Sequence, residues 1–519
     1  MSDAVHRSST FAATLAAALE RYPSRLALAD RDERLTYAQA AARISQLTQV
    51  FEASGLQPGD AVAQLSPNCV EAALVQLAAW SHGLRYVPLH PLGSVDDHRF
   101  ILEDSEVQAL VLHPSKLESH GALMHAPSLE NVFAHGPVAG AKDLRELASS
   151  FAPTRLEPAS DPDAVVAVLY TGGTTGRSKG VTLTSAQMVM NVLLTLSGWE
   201  WPRDIRFLCA TPITHATGCM LVPILDRGGS IHLEPGFDAD RFLDVVERER
   251  ITSSFLVPTM IYKLTDTQRA APRDVGSLEC IIYGAAPTTV ARLKEALDTF
   301  GPVFLQIYSQ SEAPCCAVVL RRDEHLESDG IRLTSCGRPM AGIDVQVLSD
   351  EGRPVRDGDV GEICLRGPSI MRGYWKLERE TAQAFRDGWL HTGDLAYRDQ
   401  QGFLYIVDRK KEMIISGGFN VYPREVEDAI STHPAVAQVA VIGIPDDYWG
   451  ETVKAVVVLK EGACTSAPEL MAHVRARKGP VATPKSVDFV AELPLTALGK
   501  PDKKAMRERY WSGKERQVN

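Results

Sequence analysis

The segment L-Y-T-G-G-T-T-G-R-S-K-G, Leu169 to Gly180, concentrates the means of holding an anion. Its four glycines, Gly172, Gly173, Gly176 and Gly180, let backbone N–H groups turn toward one point. Thr171, Thr174, Thr175 and Ser178 add hydroxyl donors, and Arg177 and Lys179 add charge. The lysine does not directly follow the last loop glycine, because Arg177 and Ser178 intervene after Gly176, so this is not a Walker A loop. The composition suits a polyphosphate. A plain Gly/Thr surface turn is the competing reading, and the density of donors argues against it.

The elements that must position this loop are legible beside it. A-V-V-A-V-L-Y (164–170) reads as a buried strand, and G-V-T-L-T (180–184) returns as a second. Thr184 or Ser185 can then cap the helix A-Q-M-V-M-N-V-L-L-T-L. From about residue 30, helical stretches alternate with short apolar runs such as A-V-A-Q-L (61–65), S-F-L-V (254–257) and C-I-I-Y (280–283), which predicts an α/β protein with largely parallel buried strands. After about 340 the runs D-V-Q-V-L, G-E-I-C-L-R-G and G-F-L-Y-I-V-D read as strands between Gly-, Asp- and Pro-rich turns. A helix opening at Pro423 follows, then the strands A-Q-V-A-V-I-G and V-K-A-V-V-V-L. This tail reads as a small α+β unit of about a hundred residues, with its boundary in the charged stretch Asp408–Lys411.

The bulk properties exclude several classes of function. A chain of 519 residues, 45% of them apolar, can build more than one domain. Its net charge of −11 lacks the basic footprint of a general nucleic-acid binder. The residues from 500 onward run the other way, with seven Lys/Arg against three Asp/Glu, and read as a solvated face and tail. Nine cysteines are scattered without a C-x-x-C pair, as expected of reduced, cytoplasmic thiols with neither zinc nor disulfides. No apolar run reaches the roughly eighteen residues of a membrane span, and S-S-T-F-A-A-T-L-A-A-A-L-E-R reads as a first helix capped by Ser or Thr in preference to a signal peptide.

The loop resembles the phosphate loop of the adenylate-forming superfamily, which includes acyl-CoA synthetases, aryl-CoA ligases, luciferases and peptide-synthetase adenylation domains. The resemblance extends in order along nearly the whole chain. P-I-T-H-A-T-G (212–218) is similar to the segment whose His or aromatic residue gates the acyl pocket, and Y-G-A-A-P (283–287) to the adenine wall. Y-S-Q-S-E (308–312) resembles the family's Tyr-Gly-x-Thr-Glu, and W-L-H-T-G-D (389–394) carries the ribose-binding Asp. D-R-K-K-E-M-I-I-S-G-G-F-N-V-Y-P-R-E-V-E (408–427) is similar to the hinge and the loop beyond it, and P-L-T-A-L-G-K (494–500) ends in the family's catalytic lysine.

The resemblance implies a large N-terminal domain of α/β sheets plus a distorted β-barrel over 1–408, a hinge at 409–411 and a mobile α+β domain over 412–519. It implies ATP, Mg²⁺ and coenzyme A as the reaction's small molecules. Lys500 is expected to neutralise the charge that gathers on the α-phosphate under attack. Glu312, a hard oxygen ligand, is expected to hold Mg²⁺ on ATP. Asp394 can accept both ribose hydroxyls, Arg409 is expected near the ribose or α-phosphate, and Tyr308 beside the adenine. The remaining nucleotide contacts are assigned to Thr171, Gly172, Gly173, Thr174, Thr175, Gly176, Ser178, Lys179, Gly284, Ala285, Ala286, Ser309, Gln310 and Ser311.

The acid is expected beside His215, Thr217, Tyr283 and Ser309, with His215 touching the acyl group or its carboxylate. Ser309 departs from the usual Gly and Ser311 from the usual Thr. The first change adds a side chain to a normally bare floor. With the bulk of Tyr283 it leans toward a compact aromatic, cyclic or medium-chain acid. Rotation at Lys411 would withdraw Lys500 and present Gly417, Gly418 and Asn420, whose bare backbone lets a pantetheine arm pass. The leading expectation is an acid:CoA ligase. An acyl-AMP ligase loading a separate carrier protein, and an inactive ligase fold that only binds, are the alternatives. Intact Lys500, Glu312 and Asp394 argue against the last. The partners expected are a small carboxylic acid and CoA, in the cytoplasm, with a homodimer as an open assembly state.

Overall fold

The helix Val70–His82, V-E-A-A-L-V-Q-L-A-A-W-S-H, is buried on nearly every face, so it must lie inside the molecule. In the computed structural model, which describes residues 9–171, 178–286, 288–326, 330–416, 419–446, 449–495 and 501–511, it does. It packs with Phe11–Arg21, Ser185–Gly198 and Ala216–Asp226 in a core shared by two sheets.

Among the described residues one sheet has eight strands, with Val165–Thr171 and Lys179–Thr184 adjacent and the parallel strands Arg85–Leu89, Ala61–Leu65, Val107–Leu112 and Asn131–Ala134 beyond them. The other has nine, and its parallel centre runs Phe304–Gln310, Cys280–Gly284, Ser253–Leu256, Arg206–Cys209, Ser230–Leu233 and Leu26–Ala29. Its outer face is covered by Ala239–Glu249, Pro258–Ala270 and Val290–Phe300, which pack in a second core. Ala239–Glu249 buries Phe242, Leu243, Val245 and Val246 and turns its charges outward, as a covering helix must.

The expected caps are in place. Thr10 accepts from Ala13 N at the first helix, and Thr184 forms a reciprocal capping box with Gln187. After residue 340 an antiparallel sheet forms from Asp344–Leu348, Gly361–Arg366, Trp389–Arg398 and Leu404–Arg409. The terminal unit has its own antiparallel sheet, in which Val436–Asp446 pairs along its length with Gly450–Leu459. Pro423–Ser431, with proline in its first turn, and Ala467–Lys478 pack on that sheet. Among the described residues no helix is long and apolar enough to cross a membrane.

Candidate active site

Three side chains from two strands converge on the carboxylate of Asp394, which is 4% exposed. Tyr308 OH donates to Oδ2 at 2.7 Å and Gln310 Nε2 donates to the same oxygen at 2.7 Å. Arg409 Nε meets Oδ1 at 3.0 Å, reaching across from the paired strand, where Asp394 and Arg409 face each other in register. Asp394 raises the Arg409 guanidinium above its usual range. Burial, and next the neighbouring Asp394 charge, push the Tyr308 phenol well up, so it stays a donor. Oδ2 thus already accepts two bonds and Oδ1 one, which leaves room on Oδ1 for one further donor. Asp394 is the residue expected to accept both ribose hydroxyls, and in this arrangement most of its capacity holds the site together.

Glu312 lies past the turn that carries Ser311. Its Oε1 accepts from Tyr374 OH at 2.8 Å, and its Oε2 meets no donor among the described residues. The Tyr374 ring also receives Lys179 Nζ, 4.9 Å from its centroid. Tyr374 therefore joins the carboxylate to the lysine at the far end of the phosphate loop. Thr171 and Lys179 are register partners across that loop, with Thr171 Oγ1 3.5 Å from Lys179 O, and Ser178 is half-buried. Gly172, Gly173, Thr174, Thr175 and Gly176 lie outside the described residues, as does Lys500.

The wall expected beside adenine is built from close backbone approach. A Cβ on Gly284 would fall inside contact distance of Ile307 O on the adjacent strand, so the position needs glycine. Ala285 follows with φ +67°, a left-handed conformation that costs a non-glycine residue about 1–2 kcal/mol. Ala286 continues this turn. Ser309 sits where the ladder breaks: Tyr308 pairs with Val318 but Gln310 with Ala313, so the extra residues of the bulge fall on Ala313–Leu320. Within them Cys315 takes φ +63°. Bulges re-aim side chains beside functional sites, and no sequence pattern announced this one.

His215 stands at the start of the helix Ala216–Asp226, its Nδ1 2.9 Å from Thr214 Oγ1. Gly218 is required here, since a Cβ would collide with Ile213 O and approach Gln76 Nε2. The His215 ring meets His90 edge-to-face at 4.9 Å. Burial first, and Lys116 second, lower His90 to about 4, which keeps it neutral. His215 lines a cavity of about 10 Å³ together with Gln76, Trp80, Leu169, Met188 and Cys219, room for one water. Thr217 is buried, its hydroxyl on that of Thr211.

Tyr283 does not join this pocket. Side chains alternate along a strand, and Ile282 takes the inner face while Ile281 and Tyr283 take the outer one. The Tyr283 ring is fully buried against Phe304, with its hydroxyl 3.0 Å from Gln306 Oε1 and 2.9 Å from His325 Nε2. The bulk assigned to the acid pocket is core packing behind the sheet. Tyr374 and His90 were missed in turn; an aromatic pair after glycine, G-Y-W, was the one available signal for the former.

Residues 15–375 match the AMP-binding enzyme family, and residues 425–500 match its C-terminal domain. The chain belongs to this adenylate-forming family. It is 45% identical to the medium/long-chain-fatty-acid–CoA ligase FadD8 of Mycobacterium tuberculosis, over 97% of this chain and 90% of that protein. It is 37% identical to a feruloyl-CoA synthase of Amycolatopsis, over 92% of this chain and 94% of the other. Among solved structures it is similar to the amide bond synthetase McbA of Marinactinospora thermotolerans, with a TM-score of 0.89 and 32% identity over 96% of this chain and all of that one, 100%. ATP-bound MatB of Rhodopseudomonas palustris matches with a TM-score of 0.88 and 31% identity, over 96% of this chain and 99% of that one.

In this AMP-binding enzyme the strand ending at Arg409 leads directly into the terminal unit. Asp408 Oδ2 accepts from Arg424 N at 2.9 Å, and Arg424 Nη1 donates to Ile406 O at 3.0 Å, so contacts span the expected hinge. Burial raises Asp408 to about 6 despite Lys503 nearby. Lys411 is half-buried; burial, then Arg409, lowers its pKa. Asn420 is exposed beside Phe419, which is 59% exposed. Gly417 and Gly418 lie outside the described residues.

Proposed function

We propose that this enzyme is an ATP-dependent, AMP-forming carboxylic acid:CoA ligase. The observation that carries the reading is the convergence of Tyr308, Gln310 and Arg409 on Asp394, beside a second carboxylate, Glu312, tied through Tyr374 to the phosphate-loop lysine. A nucleotide needs both: an acceptor for a ribose hydroxyl and a cationic path for its phosphates.

In the first step a carboxylate oxygen attacks the α-phosphorus of ATP. The new O–P bond forms as the bond to the β-phosphate's bridging oxygen breaks, and pyrophosphate leaves. Lys500 and Arg409 neutralise charge that gathers on the α-phosphate. Phe419, Asn420 and the glycines before them would then line the path of CoA. Its sulfur attacks the acyl carbon, the thiol proton is lost, and AMP leaves.

Glu312 fits a Mg²⁺ role because Tyr374 holds one carboxylate oxygen and, among the described residues, no donor occupies the other. Among the described residues no three acidic, His or Cys side chains converge on a metal, so such an ion would rest on Glu312 and the substrate's phosphates. Bound there, it would supply charge neutralisation across the phosphates. His215, Thr217 and Ser309 are the residues assigned to the acid, with Ser309 adding a side chain to its floor. This boundary favours a compact aromatic, cyclic or medium-chain acid. The units are assigned to 1–408 and 412–519, with rotation at 409–411, in a cytoplasmic enzyme.

The test is to incubate the protein with ATP, Mg²⁺ and a panel of aryl, alicyclic and C2–C16 acids, with and without CoA, reading products by mass spectrometry. Acyl-CoA that requires both CoA and Lys500, with Lys500→Ala as control, is the expected result. Acyl-AMP that accumulates and ignores CoA would transfer the reading to carrier loading.

A further inference from the structure

The helix Lys503–Trp511 begins three residues after Lys500, and its first side chain points into the protein. Lys503 Nζ lies 2.8 Å from Glu427 Oε1 and 3.4 Å from Glu412 Oε2, with all three side chains less than a fifth exposed, at 15%, 18% and 16%. Glu427 Oε1 also accepts from Val441 N at 2.7 Å, which fixes it against Val436–Asp446, the edge strand of the terminal sheet. Glu412 directly follows the proposed hinge. A lysine buried this far must be held by charge. Burial works against the ammonium, but Glu427, Glu412 and Asp408 outweigh it and raise its pKa above the usual lysine range.

The ends of the segment before it are also pinned. Leu495 and Pro501 form an antiparallel bridge, and Asp502 N donates to Pro494 O at 2.8 Å. Asp502 Oδ1 in turn accepts from Ala505 N at 2.9 Å, which caps the helix start. The described residues on either side of the run that ends in Lys500 are thus paired with each other, and they lie beside an ammonium tied to the residue next to the hinge.

We propose that Lys503 is a positioning residue for adenylation: its ion pairs with Glu412 and Glu427 lock the base of the Lys500 segment to the hinge, so that domain placement sets where the Lys500 charge lies. The inference rests on the reading of Lys500 as the adenylation lysine. A flexible lysine stem delivers its charge usefully only when its base is fixed, and small misplacements of a catalytic charge are expensive. The thioester-forming step does not need Lys500 in place, so the two half-reactions should separate.

The experiment measures both half-reactions on the full chain: acyl-AMP formation in a single turnover, and acyl-CoA formation from synthetic acyl-AMP supplied with CoA. Lys503→Met should slow the first by about tenfold or more and leave the second within about twofold. Lys503→Arg should restore most of the first. Glu427→Gln, which removes one partner and leaves the lysine paired with Glu412, should show the same split in milder form and serves if Lys503→Met does not fold. Equal losses in both half-reactions would make Lys503 a purely structural cation and overturn the proposal, as would an unchanged first step. Lys500→Ala runs beside them. If it slows acyl-AMP formation while Lys503→Met and Glu427→Gln do not, the positioning role alone falls. If it leaves acyl-AMP formation intact, both this role and the adenylation reading of Lys500 fall.

Discussion

Tyr374 donates a 2.8 Å hydrogen bond to Glu312 Oε1 while its ring carries the ammonium of Lys179. One phenol thereby sets the distance between the acid expected to hold the phosphates' cation and the lysine expected to hold the phosphates themselves. Hydrogen bonds to charged groups are worth about 1.5–3 kcal/mol. Tyr374→Phe should therefore slow acyl-AMP formation by about tenfold or more and raise the Mg²⁺ concentration for half-maximal rate. Tyr374→Ala, which also removes the ring face, should cost more. Rates from pyrophosphate exchange across a Mg²⁺ titration check both.

Asp394 is the hub for Tyr308, Gln310 and Arg409. Asp394→Ala leaves Arg409 without its buried counter-charge and should reduce adenylation by about 100-fold or more, chiefly through a raised KM for ATP. Tyr308→Phe removes one of three donors and should cost about tenfold. Steady-state kinetics in ATP separate the two.

Gly218 admits no side chain without moving Ile213 O or Gln76. Gly218→Ala should lower stability by about 1–3 kcal/mol, as overpacking does, and weaken acid binding because His215 starts the same helix. Thermal unfolding and the KM for the acid report the two effects.

His325 is buried between Tyr283 OH and Arg321 O, at 2.9 and 2.7 Å. Burial lowers it from 6.5 to about 4. Between those values the unfolded chain binds a proton that the folded chain refuses. The stabilising contribution is complete above pH 6.5 and is lost as pH falls toward 4. This group alone should cost about 2 kcal/mol between pH 7.5 and 5. Denaturant unfolding at both pH values, with His325→Gln losing less on acidification than the parent, is the check.

Lys411 sits between the strand Leu404–Arg409 and the terminal sheet. Lys411→Pro fixes one backbone angle where the rotation is proposed. Thioester formation should fall by about tenfold or more with acyl-AMP formation changed less. Equal losses in separately measured half-reactions would remove Lys411 from the hinge.

The layered α/β plan, the caps at Thr10 and Thr184 and the proline-led helix at Pro423 were legible because each rests on local chemistry: burial period, a hydroxyl before a helix, a missing N–H. The candidate site was legible as an ordered set of short motifs, each of which keeps its neighbours in sequence. Tyr283 shows the limit of that reading. It lies in the right motif and on the wrong face, because one residue along a strand reverses a side chain's direction and only packing decides which parity meets the site.

From the sequence alone came the residue types that can handle phosphates, a carboxylate and a thiol, their order along the chain, and the elements that carry them. Tertiary structure decided which of them meet: Tyr374 with Glu312 across 62 positions, Arg409 and Tyr308 on one carboxylate, Lys503 between Glu412 and Glu427. The division has a physical cause. Helix, strand and turn preferences are set within a few neighbouring residues. A buried charge or hydroxyl instead takes its partner from whatever the packed layers bring within about 3 Å, and no local pattern encodes that distance.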